Sequence, residues 1–327
     1  GFLGFYMCNF FLKYSKVLNI KSVIGTDIFL LGKKPDWLES LSKNHDIFSL
    51  YEHDIIKDNI ELTINESQNI THIIHMASIA SPTYYRKYPV ETIEGNIWGL
   101  KNLLEYFKDK KPKGFLFFSS SEIYGDPDKK NIPTKEEYRG NVASIGPRAC
   151  YDESKRFGET LCYVYSEKYN IPISIARPFN NYGPGMNLND KRVPADFAKS
   201  IVNNSDIEIF SDGSPTRTFC YITDAIAGYL KVLLHGKFDY FNIGIDSPEI
   251  SIANLAEIYA AHGENIFNYS GKVKLSPPPE KNYLKDNPNR RCPNISKAQE
   301  LLQYSPSISV NEGVLRFLKY LENEKVK

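Results

Sequence analysis

Ile70-Thr71-His72-Ile73-Ile74-His75-Met76-Ala77 and Gly114-Phe115-Leu116-Phe117-Phe118-Ser119-Ser120 are two short apolar runs that end in small or polar residues, with an amphipathic stretch from about Val90 to Phe107 between them. Near-continuous apolar runs of this length read as strands covered on both faces, the usual composition of parallel strands. Working outward, Lys21–Asp27 and Asp46–Leu50 precede the pair, while Ile173–Arg177 and Tyr240–Ile243 follow it. Strand and helix alternate throughout, so the sequence predicts an α/β protein on an open, doubly wound parallel sheet. Ligands of such sheets bind beyond the carboxyl ends of the strands.

From about Asn181 the texture changes to loops punctuated by Tyr182-Gly183-Pro184-Gly185, Asp212-Gly213-Ser214-Pro215 and Ser276-Pro277-Pro278-Pro279. This predicts a smaller, loop-rich α/β lobe beside the sheet. Because Tyr240–Ile243 returns to the sheet, that lobe is discontinuous: residues 1–180 plus about 218–247 form the cofactor domain, and 181–217 plus about 248–327 the substrate lobe. A chain of 327 residues can bury cores of this size.

Charge is balanced, with 40 basic and 39 acidic residues and no long like-charge block, which argues against nucleic-acid and membrane-surface partners and for a small molecule. Cys8, Cys150, Cys162, Cys220 and Cys292 form no C-x-x-C pair, and the six histidines show no metal-ligand spacing. A reduced, metal-free, cytoplasmic protein is expected. The apolar start Gly1–Leu12 lacks a basic lead and a small-residue cleavage site, and falls short of the ~20 residues that span a bilayer.

That start reads better as a helix opened by Gly1-x-x-Gly4, with Asp27 placed 23 residues beyond Gly4, about where a Rossmann-type dinucleotide fold carries its ribose-binding acid. The helix amides would then face a pyrophosphate. A carboxylate at Asp27 accepts ribose hydroxyls and repels a 2′-phosphate, favouring NAD over NADP. Plain helix-sheet packing for the glycines and turn capping for Asp27 are the alternatives. The strand and first glycine that usually precede this fingerprint are missing, so the sheet is expected to lack its first strand, and any upstream targeting segment lies outside the sequence.

Ile145-Gly146-Pro147-Arg148-Ala149-Cys150-Tyr151-Asp152-Glu153-Ser154-Lys155 sets a phenol and an ammonium one helical turn apart. A tyrosine with an ordinary pKa of roughly 10 is a poor base near neutrality, and a neighbouring lysine favours its phenolate. The spacing alone decides little, because it recurs at Tyr106 and Lys110. Tyr106 sits at a helix end running into a basic loop and reads as structural. Tyr151 follows a strand, a Ser/Glu cluster and a polar loop, and is the candidate base.

With His75–Pro82, Ser119–Asp126, Ile145–Lys155, Arg177-Pro178-Phe179-Asn180, Gly213–Arg217 and Pro288-Asn289-Arg290-Arg291 assembled, the chain resembles the extended short-chain dehydrogenase/reductase family of nucleotide-sugar enzymes over nearly its whole length. The resemblance implies that Tyr151 is the catalytic base, that Lys155 supports it and holds the nicotinamide ribose, and that Ser120 hydrogen-bonds the sugar near C4. It implies further that Glu122 and Arg217 act near the sugar C5 substituent. NAD is expected against Gly1, Phe2, Leu3, Gly4, Asp27, Asp54, Ile55, Met76, Ala77, Ser78, Asn96, Ser119 and Pro178, besides Tyr151 and Lys155. The UDP-sugar is expected against Ser81, Tyr85, Ser121, Val193, Arg217 and Tyr221, with Asn180, Arg192 and Arg291 on its diphosphate. A homodimer built on the helices near 96–107 and 151–169 is also implied.

Members of this group begin by taking a hydride from C4 to NAD. The dehydrating branch usually carries an Asp-Glu pair after its catalytic hydroxyl residue, whereas here the position reads Ser121-Glu122. Ser121 cannot supply a general acid and repels a substrate carboxylate less than aspartate would. The expected reaction is therefore decarboxylation of UDP-glucuronate to UDP-xylose, with a 4,6-dehydratase, a 4-epimerase or 4-keto-reductase, or a non-catalytic sugar-nucleotide binder as alternatives.

Overall fold

In the computed structural model, residues 1–64, 67–279 and 284–325 are described. The chain opens on helix α1 (Phe2–Lys13) and continues through the parallel strands β1 (Val23–Asp27), β2 (Phe48–Glu52), β3 (His72–His75), β4 (Gly114–Phe118) and β5 (Ile173–Pro178), with a last parallel strand at Asp239–Ile243. The order Asp239–Ile243, β5, β4, β3 makes a four-stranded block. β1 and β2 form a block of their own, and α1 packs on both β1 and the helix Ile222–Leu233. This is the Rossmann-like α/β architecture the sequence predicts.

Alternation along β4 explains the layers. Phe115 and Phe117 face one side, against Leu100, Leu104 and Cys162 of two helices, while Leu116 and Phe118 face the other, against Met7, Tyr229 and Val232. All five β4 residues are buried, which is why the strand reads as an unbroken apolar run. Gly158 lets the helix Ala149–Tyr169 approach this sheet closely: a Cβ there would stand 2.6 Å from the Phe117 ring. The close approach fixes the start of that helix above the carboxyl end of β4.

The amphipathic stretch forms helix over 89–107 but contains a π turn at Gly95–Gly99. Ile55 presses on Gly99, where a Cβ would meet it at 2.4 Å, so the extra residue in the turn accommodates the loop after β2. β2 lies two residues later than predicted, because Ile47 instead accepts the Val23 amide with its carbonyl from just outside the strand. Tyr106 is structural, as expected: its hydroxyl donates to Ser67 and its ring lies under the Lys110 ammonium. The smaller lobe carries the helices Val193–Val202, Ile252–Phe267 and Val310–Lys325 and a three-stranded sheet of Ile250–Ser251, Thr216–Arg217 and Arg290–Arg291. No helix among the described residues is long and apolar enough to cross a membrane.

Candidate active site

A cleft of about 2460 Å³ runs from the start of α1, across the carboxyl ends of the strands, to the smaller lobe. Tyr151 is buried at its middle, with its ring stacked on Tyr85 at 5.1 Å and 13°. Burial pushes the Tyr151 phenol up to about 12, against the pull of the Ser120 hydroxyl and, more weakly, the Arg192 guanidinium. Lys155 follows one turn later, 2% exposed, and its ammonium donates to the Phe118 carbonyl at 2.7 Å. Burial brings it down to about 7. The expected direct support of Tyr151 by Lys155 takes another form: the ammonium is bound to β4 and lies 5.7 Å from the phenol ring centre.

The segment after β4 turns as a 3₁₀ coil at Ser121–Tyr124, capped by Ser120, whose hydroxyl oxygen accepts the Glu122 amide at 3.2 Å. Gly125, at φ +60° and ψ −132°, ends the turn in a conformation that favours glycine. Glu122 thereby projects into the cleft between two guanidiniums, accepting from Arg148 and from Arg291. Burial alone would raise its carboxyl, but Arg148, then Arg291, hold it well below the usual carboxylate range. Arg291, expected at a diphosphate, is thus engaged at the Glu122 end.

Arg217 differs from its neighbours. Its guanidinium donates to the carbonyls of Thr216, Pro288 and Asn289 and, among the described residues, to no carboxylate. Burial, with Arg291 and Arg148 close by, lowers it to about 9. Arg148 and Arg291 are engaged with Glu122, with Asp126 acting on Arg217 from outside the cleft wall, so Arg217 is the guanidinium here with donors turned only to carbonyls among the described residues.

At the other end, a Cβ on Gly1 or on Gly4 would meet nothing within 4 Å, so packing does not demand either glycine, and both line the cleft. Phe2 and Leu3 line the same space, as do Met76, Ala77 and Pro178 at the ends of β3 and β5. Asp27 is exposed at the end of β1 and accepts the Phe29 amide at 2.8 Å, the turn-capping role, while still lining the cleft. Asp54 caps Ile56 at 2.9 Å beside Ile55. The buried Ser78 hydroxyl has no partner among the described residues, as expected of an atom that meets a ligand.

Across the cleft, Ser81 donates to the Asp190 carbonyl at 2.6 Å, Arg192 forks onto the Asp190 carboxylate at 2.6 and 2.7 Å, and Asn180 donates to the Thr218 carbonyl at 2.8 Å. Val193 opens the following helix. Ser119 lines the cleft but donates to Glu159 at 2.5 Å. Two expected residues are absent from its walls. Asn96 is fully buried between helices and donates to Ser154 at 2.8 Å, because the π turn rolls it inward. Tyr221 packs edge-on against Tyr182 beneath Arg316. Sequence reasoning missed Arg148, Asp152 and Asn287, although Arg148 stands in the Gly-Pro-Arg turn just before Tyr151 and four residues from Asp152.

Residues 1–244 match the profile of the NAD dependent epimerase/dehydratase family. The chain belongs to this family. It is 35% identical over 301 residues, 92% of the chain, to UDP-glucuronic acid decarboxylase 1 of Arabidopsis thaliana, and spans 64% of that protein. To UDP-glucuronic acid decarboxylase 1 of Xenopus tropicalis it is 32% identical over 99% of the chain and 70% of the relative. Among solved structures, UDP-glucuronic acid 4-epimerase from Bacillus cereus with UDP-glucuronic acid and NAD superposes with a TM-score of 0.77 at 27% identity, covering 99% of this chain and 97% of that one. Gly1 and Gly4, which packing does not demand, and the Ser78 hydroxyl, without a partner among the described residues, fit the family's NAD.

Proposed function

We propose that the protein decarboxylates UDP-glucuronate to UDP-xylose with no net redox change. The observation that carries this reading is the series of relatives named UDP-glucuronic acid decarboxylase, 31 to 35% identical over most of the chain. Alpha-helix α1, Asp27, Met76–Ser78, Lys155 and Pro178 hold NAD, which when bound supplies a reversible hydride acceptor for sugar C4. Tyr151 takes the C4 hydroxyl proton while Ser120 holds the same oxygen. With C4 a ketone, the C5 carboxylate is β to it, so the carbon–carbon bond breaks and its electron pair enters an enolate. Ser120 and Tyr151 donate hydrogen bonds to that oxygen. Carbon dioxide departs, a proton from solvent enters at C5, Tyr151 returns its proton to the C4 oxygen, and the regained C4 hydrogen completes the pentose.

Arg217, which has no carboxylate partner among the described residues, receives the substrate carboxylate and so selects a uronate over a neutral hexose. Arg192 and Asn180 serve the diphosphate. The two lobes divide near residues 180, 218 and 247. Exposed Trp98, Phe157, Tyr163 and Val164 on neighbouring helices suit a homodimer. The reading is tested by incubating the protein with NAD and UDP-glucuronate: carbon dioxide and UDP-xylose in equal amounts support it. UDP-galacturonate without carbon dioxide would make it a 4-epimerase, and a 4-keto-6-deoxy sugar from dTDP-glucose a dehydratase.

A further inference from the structure

Arg148 touches every part of the uronate end at once. It is 5% exposed, in the turn that starts the Tyr151 helix. Its guanidinium donates to Glu122 and, at 2.8 Å, to Asn287 of the smaller lobe, and lies 3.5 Å from the Asp152 carboxylate. Its central carbon stands 5.9 Å from the centre of the Tyr85 ring, the ring stacked on Tyr151. We propose that Arg148 is a positioning residue, which fixes the Glu122 carboxylate in its ionised form, aims it at the sugar and ties that alignment to the docking of the 287–291 segment.

Charge assigns the task to this side chain. The groups facing the cluster are Glu122 from the turn after β4, with Asp126 just beyond it, Asp152 and Tyr151 from the helix, Tyr85, and Arg217 and Arg291 from the smaller lobe. Two buried carboxylates this close cannot both stay ionised without a cation between them. Burial first, then the Glu122 charge, raises Asp152 to about 7, while Arg148 keeps Glu122 low. The arginine lies between two acids of unequal acidity, the stronger one, Glu122, facing the cleft and the weaker, Asp152, behind it. A lysine supplies the charge but not the fork that reaches Glu122 and Asn287 together.

The proposal rests on the uronate reading above, and its test is built to fail separately. In Arg148→Gln, kcat on UDP-glucuronate is expected to fall about 100-fold, with KM within about threefold and NAD and UDP binding unchanged. The acidic limb of the kcat profile moves up by about one pH unit, and Arg148→Lys recovers the limb but only part of kcat. A Gln variant within threefold of the parent, with an unmoved limb, overturns the idea. Should Arg148→Gln fail to fold, Asn287→Ala removes one arm of the same contact from outside the core. It is then expected to lower kcat at constant KM, and unchanged kinetics refute the tie. If the parent turns over no uronate, the function reading fails alone: carbon-13 NMR of the Glu122 carboxyl still judges Arg148. Its midpoint rises in Arg148→Gln, and if it stays in place the proposal falls.

Discussion

Replacing Lys155 by methionine separates what the buried ammonium costs the fold from what it does for turnover. Lys155 is among the largest fully buried side chains, and its pKa falls from an ordinary 10.5 to about 7, chiefly through burial. At 1.36 kcal/mol per pH unit, that drop is worth about 5 kcal/mol. Below pH 7 both the folded and unfolded chains carry the proton, so the folded state bears the whole cost. Between 7 and 10.5 the unfolded chain binds more protons, and stability rises with pH. Above 10.5 the contribution is flat. Methionine fills similar volume without charge, but it strips the Phe118 carbonyl of its donor, a loss of about 1–3 kcal/mol.

The net gain for the cofactor-free variant at pH 6.5 is therefore about 3 kcal/mol. With an unfolding entropy near 2.1 cal/mol/K per residue, that corresponds to a Tm higher by about 4 °C. Thermal unfolding of both proteins from pH 6.5 to 9.5 reads the difference, in which the titrations of all other groups cancel. The advantage is expected to shrink or reverse by pH 9.5, and turnover to be lost throughout. A methionine variant that melts below the parent at pH 6.5, or a gap that does not change with pH, refutes the reasoning.

Three further outcomes are expected. Tyr151→Phe keeps the ring stacked on Tyr85 and so keeps its fold and bound NAD, measured by absorbance after denaturation, while steady-state turnover drops at least about 1000-fold. Arg217→Ala raises KM for UDP-glucuronate by about 10- to 100-fold, the worth of a charge-assisted hydrogen bond of about 1.5–3 kcal/mol, and calorimetry finds the affinity for UDP little changed. Asp27→Ser weakens NAD by about tenfold and narrows its preference over NADP, read from the two binding isotherms.

The strands were legible because burial on both faces leaves a mark that needs no partner information: β4 is buried at all five positions and carries no polar side chain, and β3 sets Ile73 and Ile74 between two histidines. The Tyr151–Lys155 pair was legible because one helix carries both. What escaped depends on contacts distant in sequence. The π turn exists because Ile55 meets Gly99, and nothing in the amphipathic pattern of 90–107 records that. Asn96 lies in the same turn and is buried against Ser154, away from the cleft wall where the sequence reading placed it. Arg148 lies 26 residues from Glu122 and 139 from Asn287, so its role is visible only after folding.

Deuterium tracking examines the proposed chemistry at its source. Turnover of UDP-glucuronate in heavy water, with the product followed by proton NMR, is expected to yield UDP-xylose carrying one solvent-derived deuteron at C5 and none at C4. Loss of the carboxyl group demands a solvent proton at the first carbon, and an internally returned hydride excludes one at the second. A product that retains its carboxyl group, or deuterium at C4, would contradict the proposed decarboxylation.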